Sequence, residues 1–415
     1  MNGSPIRRLA LTVFLTALIS ARLSAQDGTW ATLSAMPVPN SEFAAAAIGD
    51  RIFCVGGFAE DNQHRTLVYE PRTGAWRTAA DVPHEIHHAN VAVAGGRLYV
   101  FGGGHLASDH VQIYDPARNL WSEGRPMPTP RTAVATAVVG NRIHVIGGSP
   151  SINFGLAVQT HEAYDPATDS WSALAPLPLA SEHVFAGVLG GRIFVVGGRN
   201  ALVNLDATQI YDPATDRWSS GAPLPVATSG MGVQVFRDRL YVFGGENLQT
   251  RTVIPSVQRY DPGADRWELL ESLPVAVHGV ASAVHGDAIY LFGGSRAAAS
   301  GTGVTTVQRY SFPPLSSPGG KPARPTRLTA RPDGPGTVRL EWRDNARNET
   351  AYLVEVRSPG ARSFTTEATL PAGATSATLS GLDRAGVYRF RVVARSSTHL
   401  SQPSNVVQVR IRRIG

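Results

Sequence analysis

Short apolar runs recur along this chain at a period near 47 residues, and each ends in a pair of glycines. "RIFCVGG", "RLYVFGG", "RIHVIGG", "RIFVVGG", a second "RLYVFGG" and "AIYLFGG" place their first glycines at 56, 102, 147, 197, 244 and 293. A run of small apolar residues, such as "NVAVAG" or "GVASAV", precedes each one. A two-residue turn joins the two runs at Gly49-Asp50, Gly95-Gly96, Gly140-Asn141, Gly190-Gly191 and Gly286-Asp287. Gly and Asn tolerate the positive φ that tight hairpins require. Runs of this length, bounded by turn residues and lacking helical periodicity, predict strands. The second run does not alternate, which predicts a strand buried on both faces.

A third strand is predicted to end at a tyrosine and to turn into a fourth that begins near a tryptophan. The turns are "YEPRTGAW" at 69–76, "YDPARNLW" at 114–121, "YDPATDSW" at 164–171, "YDPATDRW" at 211–218 and "YDPGADRW" at 260–267. Pro presets φ for a type I turn, and Asp before it bonds its own backbone. Every Tyr-to-Trp spacing is 7 residues, and every spacing from Trp to the next Gly-Gly is 26. Only the stretch from the second Gly to the Tyr varies, from 11 to 16 residues, so the length freedom lies in the loop between the second and third strands. Six units in register form an internal repeat.

The apolar-Gly-Gly, Tyr-Asp-Pro and Trp elements resemble the kelch repeat over roughly residues 27–312. The resemblance implies an all-β fold, a six-bladed kelch β-propeller of four-stranded antiparallel blades over 26–312. The sixth unit has Tyr310 but no following Trp, whereas Trp30 has no repeat before it. Residues 28–35 are therefore expected to supply the outer strand of the last blade, which leaves no unpaired seam.

Beyond a Pro/Gly/Ser linker at 313–323, "TVRLEWRDNARNETAYLVEVRS" and "ATLSGLDRAGVYRFRVVARS" alternate with the period of sheet strands. This segment resembles a fibronectin type III β-sandwich over 324–415, with Trp342 as a core residue and Leu382 and Tyr388 matching the tyrosine-corner pattern. Arg389 and Arg391 share one strand face, and a solvated face is expected there rather than an anion-binding stripe.

Residues 1–25 combine Arg7 and Arg8, the apolar run Leu9 to Ile19 and a small residue at Ala25. They predict a secretory leader cut after Ala25, hence a secreted or periplasmic protein without membrane insertion after cleavage. Cys54 is the only cysteine, so no intrachain disulfide is available, and a buried apolar role is expected for it. The net charge of +6 divides unevenly: 26–320 carry −6 and 321–415 carry +9, with Arg dominating the basic residues. Neither P-loop, nucleotide fingerprint nor Ser-hydrolase elbow is present, and neither cofactor nor nucleic-acid partner is expected. A monomer is expected.

Ionisable residues cluster where the chain leads into the first strand of each unit. Fourteen residues before the Gly-Gly pairs stand Glu42, His88, Ala133, His183, Gly230 and Gly279; one residue earlier stand Ser41, His87, Thr132, Glu182, Ser229 and His278, with Arg131 one earlier again. Glu42, His87, His88, Arg131, Glu182, His183 and His278 are thus candidates for a polar pocket at the axial mouth, able to bind a carboxylate or sugar and to move protons. "HEIHH" at 84–88 matches the zinc-protease pattern, but that chemistry needs a helix and this segment follows Pro83 into a strand. No metal is expected there. Capture by His87, His88, His183 and His278 without a helix is the alternative. His144 aligns with aromatic residues of the other units and is expected to be structural. Galactose oxidase, a copper enzyme on a kelch propeller, uses a Cys-Tyr crosslink that this sequence does not match.

The function expected is that of an exported binding protein. A glycan or protein ligand meets the variable-loop face, and the type III domain serves as spacer or adhesion module. The alternative is a small-sugar enzyme resembling the bacterial kelch proteins that mutarotate sialic acid, with Arg131 holding a substrate carboxylate and Glu182 or a histidine shuttling a proton.

Overall fold

The structure, a computed structural model, describes residues 28–58, 62–152, 156–312, 321–346, 348–382, 384–396 and 399–411. The leader expected at 1–25 and most of the linker at 313–323 lie outside the described residues. The chain divides into two compact units, one up to Phe312 and one from Pro313 onward.

The first unit contains six four-stranded antiparallel sheets, five of them running in chain order from an inner to an outer strand. In blade 1 these are Ala44–Ile48, Arg51–Val55, Thr66–Glu70 and Ala75–Thr78. The inner strands of the others are Asn90–Ala94, Ala135–Val139, Phe185–Leu189, Gly232–Phe236 and Ala281–His285. Each inner strand touches the next, and the last touches the first, so the six close a ring. Small side chains on these strands leave an axial cavity of about 410 Å³, lined by residues such as Ala45, Ala92, Ala137, Gly187 and Ala283.

Blade 6 is composite. Its Ala281–His285, Ala288–Phe292 and Val307–Ser311 are completed by Thr29–Thr32 from the N-terminal side. Trp30 pairs with Tyr310 there, as Tyr69 pairs with Trp76 and Tyr211 with Trp218 within single blades. The Tyr–Trp register is therefore the same whether or not the outer strand is continuous with its blade.

The core lies between the blades. Six apolar clusters occur, each built from two adjacent blades; Phe53 and Val55 of blade 1 meet Leu98, Val100 and Tyr114 of blade 2, for example. The Tyr-Asp-Pro turn adds polar stitches. Asp212 Oδ1 accepts the Ala214 amide at 2.9 Å, which tightens the turn. Asp216, with φ of 51°, accepts the Tyr211 hydroxyl at 2.7 Å and the amide of Ala175 in the preceding blade at 2.9 Å. Trp218 Nε1 donates to the Ala175 carbonyl at 2.8 Å.

The second unit is a two-sheet sandwich. Thr326–Pro332, Val338–Arg343 and Ser376–Leu379 form one sheet; Thr365–Pro371, Ala351–Arg357, Gly386–Arg395 and Val407–Ile411 form the other. Trp342, Tyr352, Tyr388 and Phe390 share its core. The Tyr388 hydroxyl accepts the Arg384 amide at 3.2 Å, a tyrosine corner. Arg391 is engaged within the domain: it pairs with Glu355 at 2.5 Å and lies 4.3 Å over the Phe364 ring. No helix among the described residues is long and apolar enough to cross a membrane.

Candidate functional site

The chain leads into each inner strand through one residue in the left-handed region: Glu42 (φ 52°), His88 (54°), Ala133 (54°), His183 (47°), Gly230 (61°) and Gly279 (57°). The amide of each donates to the carbonyl of its counterpart one blade back. His88 to Glu42 measures 2.9 Å, Ala133 to His88 2.8 Å, His183 to Ala133 3.0 Å, Gly230 to His183 3.2 Å, Gly279 to Gly230 2.7 Å and Glu42 to Gly279 2.8 Å. Six hydrogen bonds thus close a backbone ring around the axis. Its left-handed conformation costs a non-glycine residue about 1–2 kcal/mol, and strain of this kind concentrates at functional sites.

Three members of the ring carry ionisable side chains and three are small. Donor atoms of Glu42, His88 and His183 all lie within 4.8 Å of one another. Gly279 makes room for the carboxylate, since a Cβ there would sit 2.3 Å from Glu42 Oε1. A cavity of about 30 Å³, the scale of one water or ion, is lined by the three residues with Ala133, Gly230 and Gly279.

The preceding position forms a second tier. Thr132, Glu182, Ser229 and His278 bridge to Ser149, Arg199, Glu246 and Ser295, the residues that directly follow the Gly-Gly pairs. Through these bridges Arg199 and Glu246 enter the site, which the sequence reading missed. The signal was available: aligned after Gly-Gly stand Phe58, Gly104, Ser149, Arg199, Glu246 and Ser295, and only two of these are charged. Each charged one opens a short hairpin in a variable loop, Arg199–Asn200 with Val203–Asn204 and Glu246–Asn247 with Thr252–Val253.

Arg199 Nε lies 2.5 Å from Glu182 Oε1 and Nη1 lies 2.8 Å from Glu246 Oε1. Glu182 also pairs with His183 Nδ1. His278 Nε2 donates to the Ala297 carbonyl at 2.9 Å, which leaves Nδ1 facing Glu42 Oε1 at 3.3 Å and Glu246 Oε2 at 3.6 Å. His88 Nε2 is 3.5 Å from Glu42 Oε2, and its Nδ1 meets His87 Nδ1 at 2.6 Å.

These neighbours set the protonation states. Burial opposes charge on Glu42, but His88, His278 and His183 around it outweigh burial and hold the carboxyl well below its usual range. Burial likewise opposes charge on Glu182, and His183 and Arg199 bring it down to about 2. His278 is pushed the other way: against burial, Glu42 and Glu246 raise it above the ordinary imidazole value. His88 falls to about 3, chiefly through burial, with His183, His87 and Arg199 adding to the effect against Glu42. His87 falls to about 4 through burial and His105. The centre therefore holds ionised Glu42 and Glu182 and neutral His87 and His88 near pH 7, with His278 biased toward its protonated form.

Arg131 does not join them. Its fully buried guanidinium is turned into its own blade, donating to the Gly147 carbonyl at 2.9 Å, the Thr160 carbonyl at 3.0 Å and Glu162 Oε2 at 2.7 Å. At the same repeat position Asn40, Ser181 and Thr228 donate to the first-glycine carbonyls of their blades. Arg131 therefore does a scaffold's work, and the expected hold on a substrate carboxylate is not available to it. "HEIHH" has no helix, as anticipated: His84 stacks on His110 at 3.7 Å while His87 and His88 turn inward. Buried Cys54 packs in the wedge between blades 1 and 6.

Comparison with known proteins agrees with this architecture. A family model described as the KLHDC2/KLHL20/DRC7 Kelch-repeats domain matches residues 42–245, the Kelch motif matches 227–274 and the Fibronectin type III domain matches 323–410. Kelch-like protein terF of Aspergillus terreus is 37% identical over 87 residues, covering 18% of this chain and 19% of that protein. Kelch-like protein 35 of Mus musculus is 28% identical over 78 residues, covering 19% and 13%. The chain thus spans less than a fifth of the length of the curated relatives it matches. A solved structure described as "Structure of YjhT" superposes with a TM-score of 0.59 at 19% identity, covering 66% of this chain and 95% of that one, a likeness of fold. Repeat, ring closure and family matches converge: the chain carries a six-bladed kelch β-propeller followed by a fibronectin type III domain.

Proposed function

We propose that this is an exported interaction protein whose propeller docks a protein ligand on its variable-loop face. The observation that carries this reading is where large apolar side chains meet solvent. Leu106, Leu156, Leu202 and Val203 are exposed on the loops joining the second and third strands of blades 2, 3 and 4, and Leu179 is exposed on the link into blade 4. The loops of blades 2 and 3 are joined to each other, with the Ala107 amide donating to the Pro150 carbonyl at 3.0 Å. Clustered exposed apolar residues mark interaction surfaces, whereas single ones do not. Leu and Val tips offer no aromatic face on which a sugar could stack, so a protein is favoured over a glycan.

Export rests on the leader at 1–25; a cut after Ala25 leaves Gly28 and the strand Thr29–Thr32 in the mature chain. Of the roles assigned to the small-sugar enzyme, the carboxylate hold by Arg131 is lost, whereas the proton shuttle by Glu182 or a histidine is not. Arg131 is committed to its blade, and Glu182 is fully buried between Arg199 and His183.

The test is affinity capture by the full chain from an extract of its source. A partner is expected that wild type and Leu120→Asp retain, Leu120 being exposed on an outer strand, and that Leu106→Asp and Leu202→Asp lose. Equal capture by all four proteins would sink the proposal.

A further inference from the structure

From the axial ring we infer a metal site: Glu42, His88 and His183 bind one divalent transition-metal ion, with Zn2+ as the reference ion. Two imidazoles and one carboxylate are a recurrent ligand set for such ions, leaving further positions for water or a ligand. Zn–N and Zn–O bonds of about 2.0–2.2 Å put tetrahedral donors about 3.3 Å apart. Glu42 Oε2 and His88 Nε2 stand 3.5 Å apart, and donors of all three residues fall within 4.8 Å, so small side-chain rotations complete the set.

The surroundings fit a cation in two further respects. Metal-binding histidines hold their second ring nitrogen in a hydrogen bond, usually with a carboxylate or carbonyl, which fixes ring and tautomer. His183 Nδ1 is held by Glu182 and His88 Nδ1 by His87, leaving Nε2 of each for an ion. Arg199 Nη2 lies 3.2 Å from His183 Nε2, and when the ion takes that lone pair the guanidinium keeps Glu182 and Glu246 as partners. Charge also asks for a cation. Glu42, Glu182 and Glu246 face the Arg199 guanidinium, and with His278 protonated as well one negative charge is left in excess. Buried His278 Nδ1 points at Glu42 and Glu246 without forming an aligned hydrogen bond, so the centre is incompletely satisfied as it stands.

The other histidine cluster, His84, His110 and Glu123, serves as the control. Its two imidazoles are stacked and half-buried, and Glu123 is exposed.

The experiment titrates chelator-treated full-length protein with ZnCl2 by calorimetry and counts the zinc retained after dialysis. One ion per chain is expected. Binding should weaken at least 100-fold in His88→Ala and in His183→Ala and at least tenfold in Glu42→Gln, and should be unchanged in His84→Ala. Glu42→Gln preserves the packing of the strained ring should the histidine variants fail to fold. Co2+ added to the intact protein should give visible bands of a nitrogen/oxygen site with four or five ligands. Absence of retained zinc, binding unchanged in Glu42→Gln, loss of binding in His84→Ala, or a purely hexa-aquo Co2+ spectrum would each overturn the assignment.

Discussion

Arg131 shows how one residue type serves opposite purposes depending on the direction of its side chain. Its neighbours two and one places on, Ala133 and Thr132, belong to the two axial tiers, yet Arg131 faces the blade, where Gly147, Thr160 and Glu162 take its guanidinium. Its presence follows from a second substitution. Two residues before the blade tyrosines stand Gln112, Gln209, Gln258 and Gln308, whose amides clamp the incoming chain, as Gln258 does with both backbone groups of Val226. Blade 3 has Glu162 instead, which accepts from Arg131 and from Thr129 at 2.8 Å. Removing one partner of a buried ion pair costs about 3–5 kcal/mol because the remaining charge is stranded. Arg131→Ala should lower stability by that order in urea denaturation. Arg131→Thr with Glu162→Gln recreates the Thr228 and Gln258 pair of blade 5 and should recover most of the loss. A double variant no more stable than the single one would show that the pair is not what holds Arg131. The pairing was legible as a coincidence of two exceptions to the repeat in one unit; the direction of the side chain was not.

At the scale of elements, the strands and the ring of residues before them followed from the repeat arithmetic, because spacing invariance reflects backbone geometry that six blades must share. Cross-blade contacts were less legible, since they join residues whose alignment says nothing about their partners. His144 and His161 are the clearest case. They lie on adjacent strands of blade 3, 2.9 Å apart through Nδ1 and Nε2, and pack on Tyr211 and Trp218 of blade 4. Burial lowers both to about 4. Arg142 adds to this at His144, and His144 and Arg131 add to it at His161; Asp216 opposes it at both, and the Ala175 carbonyl opposes it at His161. An unfolded histidine titrates near 6.5, so between about 6.5 and about 4 the unfolded chain takes up protons that the folded chain refuses. Stability contributed by these groups is intact above that window and is lost through it as pH falls. His144→Phe with His161→Val restores the residues of other blades, such as Phe53 and Val257. The urea midpoint of that variant should fall less between pH 7 and pH 4.5 than that of wild type. Parallel curves would show that the pair is not a source of acid sensitivity.

The whole propeller is closed by a strand from the far end of its own sequence, and the closure is unequal to the other joints. Between blades 1 and 2, 2 and 3, 3 and 4, and 4 and 5, an indole nitrogen bonds the carbonyl of the preceding blade: Trp121 to Ala80, Trp171 to Arg125, Trp218 to Ala175 and Trp267 to Ala222. Asn119, Asp169, Asp216 and Asp265 accept the amides of those same four residues. The two flanks of blade 6 lack this indole stitch, although other bonds cross them, such as Gln234 to the Ser282 carbonyl at 2.8 Å: Trp30 packs on Phe243 and Trp76 on Phe292, and both indole nitrogens are buried without a hydrogen-bond partner. A buried donor left unmade costs about 1–3 kcal/mol, so each flank of the composite blade is weaker than the joints elsewhere. Local opening starts where stability is lowest. Because the axial ring crosses this seam through the Glu42 amide and Gly279 carbonyl, opening blade 6 also takes Glu42 away from His278. Native-state hydrogen exchange on the full chain reads this directly. Amides of Val307–Ser311 should exchange through an opening of lower free energy than those of Thr208–Asp212, the equivalent strand in blade 4, and Glu42 and Gly279 should exchange with the blade 6 group. Equal protection of the two strands would mean that strand pairing with Thr29–Thr32 compensates fully for the missing stitches, and that the propeller opens as a single unit.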